Sequence, residues 1–64
     1  MNGEEAFKAI CAAPKLEDAL RQWSDETLAL LITWLRAGHG RGLHGLVLGI
    51  AVVEAADRLV KAHI

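Results

Sequence analysis

Two apolar stretches decide the fold of this chain. They read DETLALLITWLRA over residues 25–37 and LHGLVLGIAVVEAADRLVKAHI over residues 43–64. The first stretch, and the second as far as Glu54, leave almost no polar side on a helix drawn through them, and a helix that is apolar all round must be buried all round. The chain has only 64 residues, 53 % of them hydrophobic, and a domain of this size buries only about 60 % of its unfolded surface. We therefore expect further copies of the chain, in a homodimer or higher oligomer, to cover these helices; the alternative is an exposed apolar patch that binds a different protein.

The remainder of the chain is also predicted to be helical. Most residues between the helix breakers are strong helix formers such as Ala, Leu, Glu, Arg and Lys, and no stretch shows the alternation of a half-buried strand. The sequence predicts helices over residues 4–12, 15–22, 25–37 and 43–64. The expected fold is one all-α domain spanning residues 1–64, a small bundle of three to four helices with a C-terminal helical hairpin, completed by dimerisation.

Ser24 marks the predicted break between the second and third helices. A serine side chain is a preferred N-cap, and the two acids that follow, Asp25 and Glu26, suit the positive end of a helix dipole. The alternative is one unbroken helix over residues 15–37.

The hairpin is expected to bring opposite charges together. If the last two helices fold back on each other, Asp25 and Glu26 approach Arg58 and Lys61. Acids at a helix start and bases at a helix end both suit the helix dipoles. Exposed pairs of this kind contribute a few tenths of a kcal/mol each.

Glycines predict a close contact on the last helix. Gly42, Gly45 and Gly49 are spaced by three and four residues and so share one face, although a glycine inside a helix costs about 1 kcal/mol against alanine. Close approach of another helix would offset that cost; the alternative is that the glycines merely soften the helix start. The residues predicted to mediate self-association are Leu31, Trp34, Leu35, Gly45, Leu46, Gly49, Ile50 and Val53.

The loop before the last helix contains GRGLHG, residues 40–45, which matches the dinucleotide fingerprint G-x-G-x-x-G. That fingerprint has meaning only after a strand in a βαβ unit, and here a helix precedes it. The loop is nevertheless basic, and the amides at a helix start attract anions. The candidate residues for binding a partner or an anion are Arg36, His39, Arg41 and His44; the alternative is an ordinary solvated turn.

The sequence contains no arrangement typical of a metal site or of catalysis. Cys11 has no partner cysteine, and His39 and His44 are five residues apart, unlike the short ligand spacings of structural zinc sites. His44 is expected to be exposed and Cys11 to pack as a small apolar residue. Neighbouring carboxylates such as Glu17 and Asp18 diverge around a helix, whereas paired acid–base chemistry needs them to converge. We therefore predict no cofactor, no metal and no enzyme activity.

The composition indicates the class of partner. The formal net charge is −1, residues 1–7 lack the basic region of a secretory signal, and no stretch has the roughly 20 apolar residues of a membrane span. One cysteine suits a cytoplasmic location. We expect a non-enzymatic protein-binding module, a homodimeric inhibitor or adaptor that binds another protein and no membrane.

By size and kind alone, the expected protein resembles the inhibitors of host systems that phages and mobile elements encode, such as anti-CRISPR proteins. The alternative is a small nucleic-acid-binding regulator that uses the basic Gly-rich loop from Arg36 to His44. The lack of a basic recognition helix counts against this alternative.

Overall fold

The structure, a computed structural model, describes residues 1–39 and 42–63, apart from the side chains of His39 and Leu43. Four α-helices occur in these ranges, and no strand does. The helices are α1 (Gly3–Ala12), α2 (Leu16–Gln22), α3 (Asp25–Trp34) and α4 (Leu43–Ala62). The predicted all-α class is thus confirmed.

Side-chain caps fix where α1 and α3 begin. The Asn2 side chain accepts a hydrogen bond from the Glu5 N–H at 2.8 Å, and the Ser24 hydroxyl accepts one from the Thr27 N–H at 3.2 Å. Trp23 and Ser24 both have extended backbones, with ψ of 146° and 158°. The chain is therefore broken where Ser24 predicted, and the unbroken helix over residues 15–37 is excluded.

A glycine ends the helical backbone after α3. The chain continues from Trp34 into a wider π turn over Leu35–His39, in which Gly38 has a φ of 86°. Side chains with a Cβ rarely adopt such a φ, and glycine adopts it at no steric cost. The helical path therefore runs as far as the sequence predicted, although its last turn is not a regular α-helix.

The core lies where α3 meets the other helices. α1 and α4 each pack on α3, and α2 contacts α1 and α4. Leu31 and Leu35, which we expected at the self-association surface, are buried inside this single chain, as part of the core that forms where α1 and α4 pack on α3. The buried hydrophobic residues are Ala6, Ile10, Leu20, Leu28, Leu31, Leu35, Val47 and Ala51.

Gly3 permits the closest approach between α1 and α3. A Cβ atom built on Gly3 would collide with Cβ of Trp34 and would lie 2.6 Å from its Cγ and 3.0 Å from the Leu30 carbonyl oxygen. The glycines at 45 and 49 differ, because a Cβ at either would have nothing within 4 Å apart from its own stretch of helix backbone and its chain neighbours. The close glycine contact within the chain is thus at Gly3, a position that the sequence did not single out.

Arg58 connects α4 to the ends of α2 and α3. Its guanidinium donates to the carboxylates of Asp25 at 2.6 Å and Glu54 at 3.0 Å. The same group donates to the backbone carbonyls of Leu20 at 2.8 Å and Trp23 at 2.7 Å, where α2 ends. The carbonyls at a helix C-terminus lack partners along the helix and carry partial negative charge. One cation therefore satisfies groups from three helices.

This arrangement keeps the guanidinium charged. The hydrogen bond to Asp25, and then that to Glu54, raises the pKa of Arg58 above its ordinary value, against the lowering effect of burial. A raised pKa means that the folded state is stabilised at every pH below the range in which an arginine titrates, and that this stabilisation is lost only at extreme alkaline pH. The predicted approach of Asp25 to Arg58 is confirmed.

Replacing Gly3 with alanine is expected to destabilise the fold by about 1–3 kcal/mol, because the new methyl group overlaps Trp34. The matched control is Gly45→Ala, which adds the same methyl group where it has open space and should stabilise α4 by up to about 1 kcal/mol. Urea unfolding monitored by circular dichroism measures both values. Equal effects of the two substitutions would contradict the close α1–α3 contact.

Replacing Arg58 with alanine is expected to lower the free energy of unfolding by about 2–3 kcal/mol, because hydrogen bonds to charged groups are lost and the partly buried carbonyls of Leu20 and Trp23 lose a donor. Arg58→Lys should recover only part, since an ammonium lacks the planar fork. The control is Lys61→Ala, which removes an exposed ion pair with Asp57. If thermal melts show Arg58→Ala as harmless as this control, the connecting role of Arg58 is wrong.

Candidate functional site

The side of α4 opposite the core carries a continuous apolar stripe. We call it the outer face and define it as Leu46, Gly49, Val53, Ala56 and Val60, all exposed. Their spacing alternates between three and four residues, which keeps them on one side of a helix. At about 1.5 Å per residue the stripe is roughly 21 Å long.

The large residues of the outer face are strongly exposed. Leu46 is 62 %, Val53 69 % and Val60 58 % accessible. Val52 and Leu59, also exposed, lie beside the stripe. α4 therefore contributes five of the exposed large hydrophobic side chains in the part of the chain that the structure describes, with Leu30 and Met1 the others. An apolar patch of this continuity is typical of a protein interaction site.

The structure brings some of the predicted self-association residues together and separates others. Gly45, Leu46, Gly49 and Val53 lie on or beside the outer face, whereas Ile50 is half-buried at its edge. Trp34 is half-buried next to α1, where its ring is 5.4 Å from that of Phe7. With Leu31 and Leu35 in the core, the surface is formed by α4 alone.

The predicted basic site is only partly described. Arg36 is exposed on the π turn. Arg41 and the side chain of His39 lie outside the described residues, and no geometry is assigned to them. His44 is half-buried rather than exposed, because its ring stacks on Phe7 with 4.2 Å between centroids and 15° between planes. The prediction of an exposed His44 is therefore wrong.

Three rings join α1, α3 and the first turn of α4. His44 stacks on Phe7, and Trp34 lies 6.0 Å from His44. A signal for this cluster exists in the sequence, because His44 precedes the buried Val47 and Ala51 by three and seven residues and so belongs to the same face of α4. The α4 end of the basic loop therefore lies next to a packed cluster of three rings.

A second apolar surface lies between α3 and α4. The groove has a volume of about 400 Å³. Asp25 and Arg58 stand at its rim, already bonded to each other. Its apolar lining comes from both helices and includes Leu28, Ala29, Ile32, Ala55, Leu59 and Ala62.

Ionisable groups outside the Arg58 cluster form local surface pairs. Lys61 and Asp57 are 2.8 Å apart on the outside of α4, and the hydrogen bond that Lys61 donates to Asp57 raises the pKa of Lys61. Cys11 is exposed, so the prediction that it packs as an apolar residue is wrong. Among the described residues, no three potential metal ligands come together.

The helices are too short or too polar for a bilayer. In the parts of the chain with assigned structure, none combines the length and the apolar character needed to cross a membrane.

Comparison with the models of known protein families, with curated proteins and with solved structures finds no match.

The aromatic cluster predicts how His44 responds to substitution. His44→Ala should destabilise the fold by about 1–2 kcal/mol, because the contact with Phe7 is lost. His44→Leu keeps an apolar group against Phe7 and should recover most of that loss. Thermal unfolding of both variants measures the difference. If leucine is as damaging as alanine, a polar interaction of His44 rather than packing stabilises this end of α4.

Proposed function

We propose that this chain is a non-enzymatic protein-binding module, which assembles as a homodimer through the outer face of α4 and binds a second protein as a small inhibitor or adaptor. The observation that carries the proposal is the exposed apolar stripe of Leu46, Val53 and Val60. The inhibitors of phages and mobile elements are the class that we favour by size and kind.

The accessible surface supports the dimer. The chain exposes 4515 Å², whereas a folded monomer of 6.9 kDa exposes about 4,000 Å² by the usual scaling with mass. The excess of roughly 500 Å² approaches the share that one partner buries in a standard interface, about 800 Å². A second copy on the outer face would remove most of the exposed large apolar side chains of α4 from water.

The α3–α4 groove supports the second part of the proposal. It lies beside the outer face, and Leu59, which is 65 % exposed, stands at its edge. A groove between two helices with an apolar floor accepts an amphipathic helix. In the proposed dimer, each copy leaves this groove open to a helix of another protein.

Nucleic acid is the alternative partner, through the loop around Arg36. Its signature would be co-purified nucleic acid that dissociates at high salt and is lost in the double variant Arg36→Ala with Arg41→Ala. The protein-binding proposal expects that variant to retain both the dimer and the protein partner.

Val53→Asp is expected to abolish the dimer, because it places two unpaired charges in an apolar interface, and should weaken association roughly 100-fold or more. Light scattering with size exclusion should give twice the chain mass for the unmodified protein and the chain mass for the variant. Circular dichroism should show an intact fold, since Val53 is 69 % exposed.

Leu59→Asp is the matched control. It introduces the same charge on the same helix at a side chain that is 65 % exposed but lines the groove instead of the outer face. The dimer should survive this substitution. A monomeric unmodified protein at micromolar concentration, or equal dissociation by both variants, would contradict the proposal.

A further inference from the structure

We propose that the two copies pair with their α4 helices antiparallel, in a register that places Leu46 of each copy against the partner's Ala56 and Val53 against the partner's Gly49. This inference rests on the proposed function and adds the geometry of the interface. The occupant of the outer face is a second copy of this chain.

The first argument is the order of side-chain sizes along the outer face. Leu46, Val53 and Val60 repeat every seven residues and are large, whereas Gly49 and Ala56 lie between them and are small. In a two-fold parallel pair, each residue meets its own copy, so large meets large and glycine meets glycine. Voids and clashes would then alternate along the contact.

An antiparallel pair removes this conflict. Each large residue then lies over a small residue of the partner, and facing layers that alternate in size interdigitate. The outer face has the open backbone that such a contact requires, because a Cβ at Gly49 would meet nothing within 4 Å. The glycine, unexplained within the single chain, then admits the partner's Val53.

The second argument selects the register. In this register Leu46, the first large residue of the stripe, packs on the partner's Ala56. It does not extend beyond the end of the contact. Asp57 is then level with the first turn of the partner's α4. That turn contains no acidic residue, and its N-cap, Gly42, provides no side-chain cap. A carboxylate there complements the positive end of the helix dipole.

The flanking charges favour a protein occupant over a lipid surface. Asp57 and Lys61 beside the stripe form a mutual ion pair. Helices that lie on anionic membranes instead flank their apolar face with Lys and Arg. A second copy presents an apolar face of equal length and the same small residues.

Cysteine cross-linking tests the orientation. In a Cys11→Ser background, which removes the exposed native thiol, Leu46→Cys and Ala56→Cys are made as separate variants, one of them isotopically labelled. Each is oxidised alone and after mixing, and the disulfide dimers are identified by mass. We expect little cross-linking of either variant alone and efficient formation of the mixed dimer, because only facing residues come within disulfide distance.

Three controls distinguish the ways in which the inference could fail. Efficient cross-linking of Leu46→Cys with itself would overturn the antiparallel arrangement. A mixed disulfide between Val53→Cys and Ala56→Cys, in place of the one between residues 46 and 56, would overturn the register, since it reports a shift by one repeat. Adding Val53→Asp should abolish the expected mixed disulfide; if the disulfide persists, it arises from random collision and the inference fails.

Light scattering of the Cys11→Ser protein under reducing conditions measures the oligomeric state, and so tests the proposed dimer independently of the cross-links. A monomer there overturns the dimer and the inference together. A dimer with the wrong cross-links leaves the dimer standing and overturns only its geometry.

Discussion

The orientation of α4 depends on the hydrogen bonds of one guanidinium. Arg58 spans the junction at which α2 ends and α3 begins, and there it donates to the backbone carbonyls of Leu20 and Trp23 and to the Asp25 carboxylate. Its side chain is only 22 % exposed, so the bonds to the two carbonyls are partly shielded from water and act at short range. Because Arg58 must face the junction, the residues that share its side of α4 face inward as well.

The other end of α4 is held by rings rather than by charge. His44 packs on Phe7, and both lie near Trp34, so the first turn of α4 is fixed against α1 and α3. Between the two ends, Val47 and Ala51 fill the core. A helix held at both ends over about 20 residues cannot rotate to hide Leu46, Val53 and Val60, and its outer face stays in water unless another molecule covers it.

Local signals in the sequence predicted the elements well, and long-range contacts less well. Ser24 and Asp25 were predictable, because capping and dipole effects act within one turn. The approach of Gly3 to Trp34 was not, since it depends on how α1 crosses α3, and one glycine near a chain end gives no signal of its own. From the sequence we predict an exposed His44 at the start of the last helix, although its spacing from Val47 places it on the buried face. Leu31 and Leu35 were apolar positions whose side of α3 could not be chosen without knowing where α1 packs.

The outer face also shows that the sequence alone does not determine long-range packing. The excess of apolar residues over the covering capacity of 64 residues was visible in the sequence, but an excess does not say which residues remain uncovered. The fold decides this, because α1 covers α3 and leaves α4 with only one side of its circumference buried. The uncovered side is then the one with alternating large and small residues, a pattern that contributes nothing to packing within the chain. A pattern without an internal role, on a helix whose rotation is fixed, is the observation from which we propose a contact between chains.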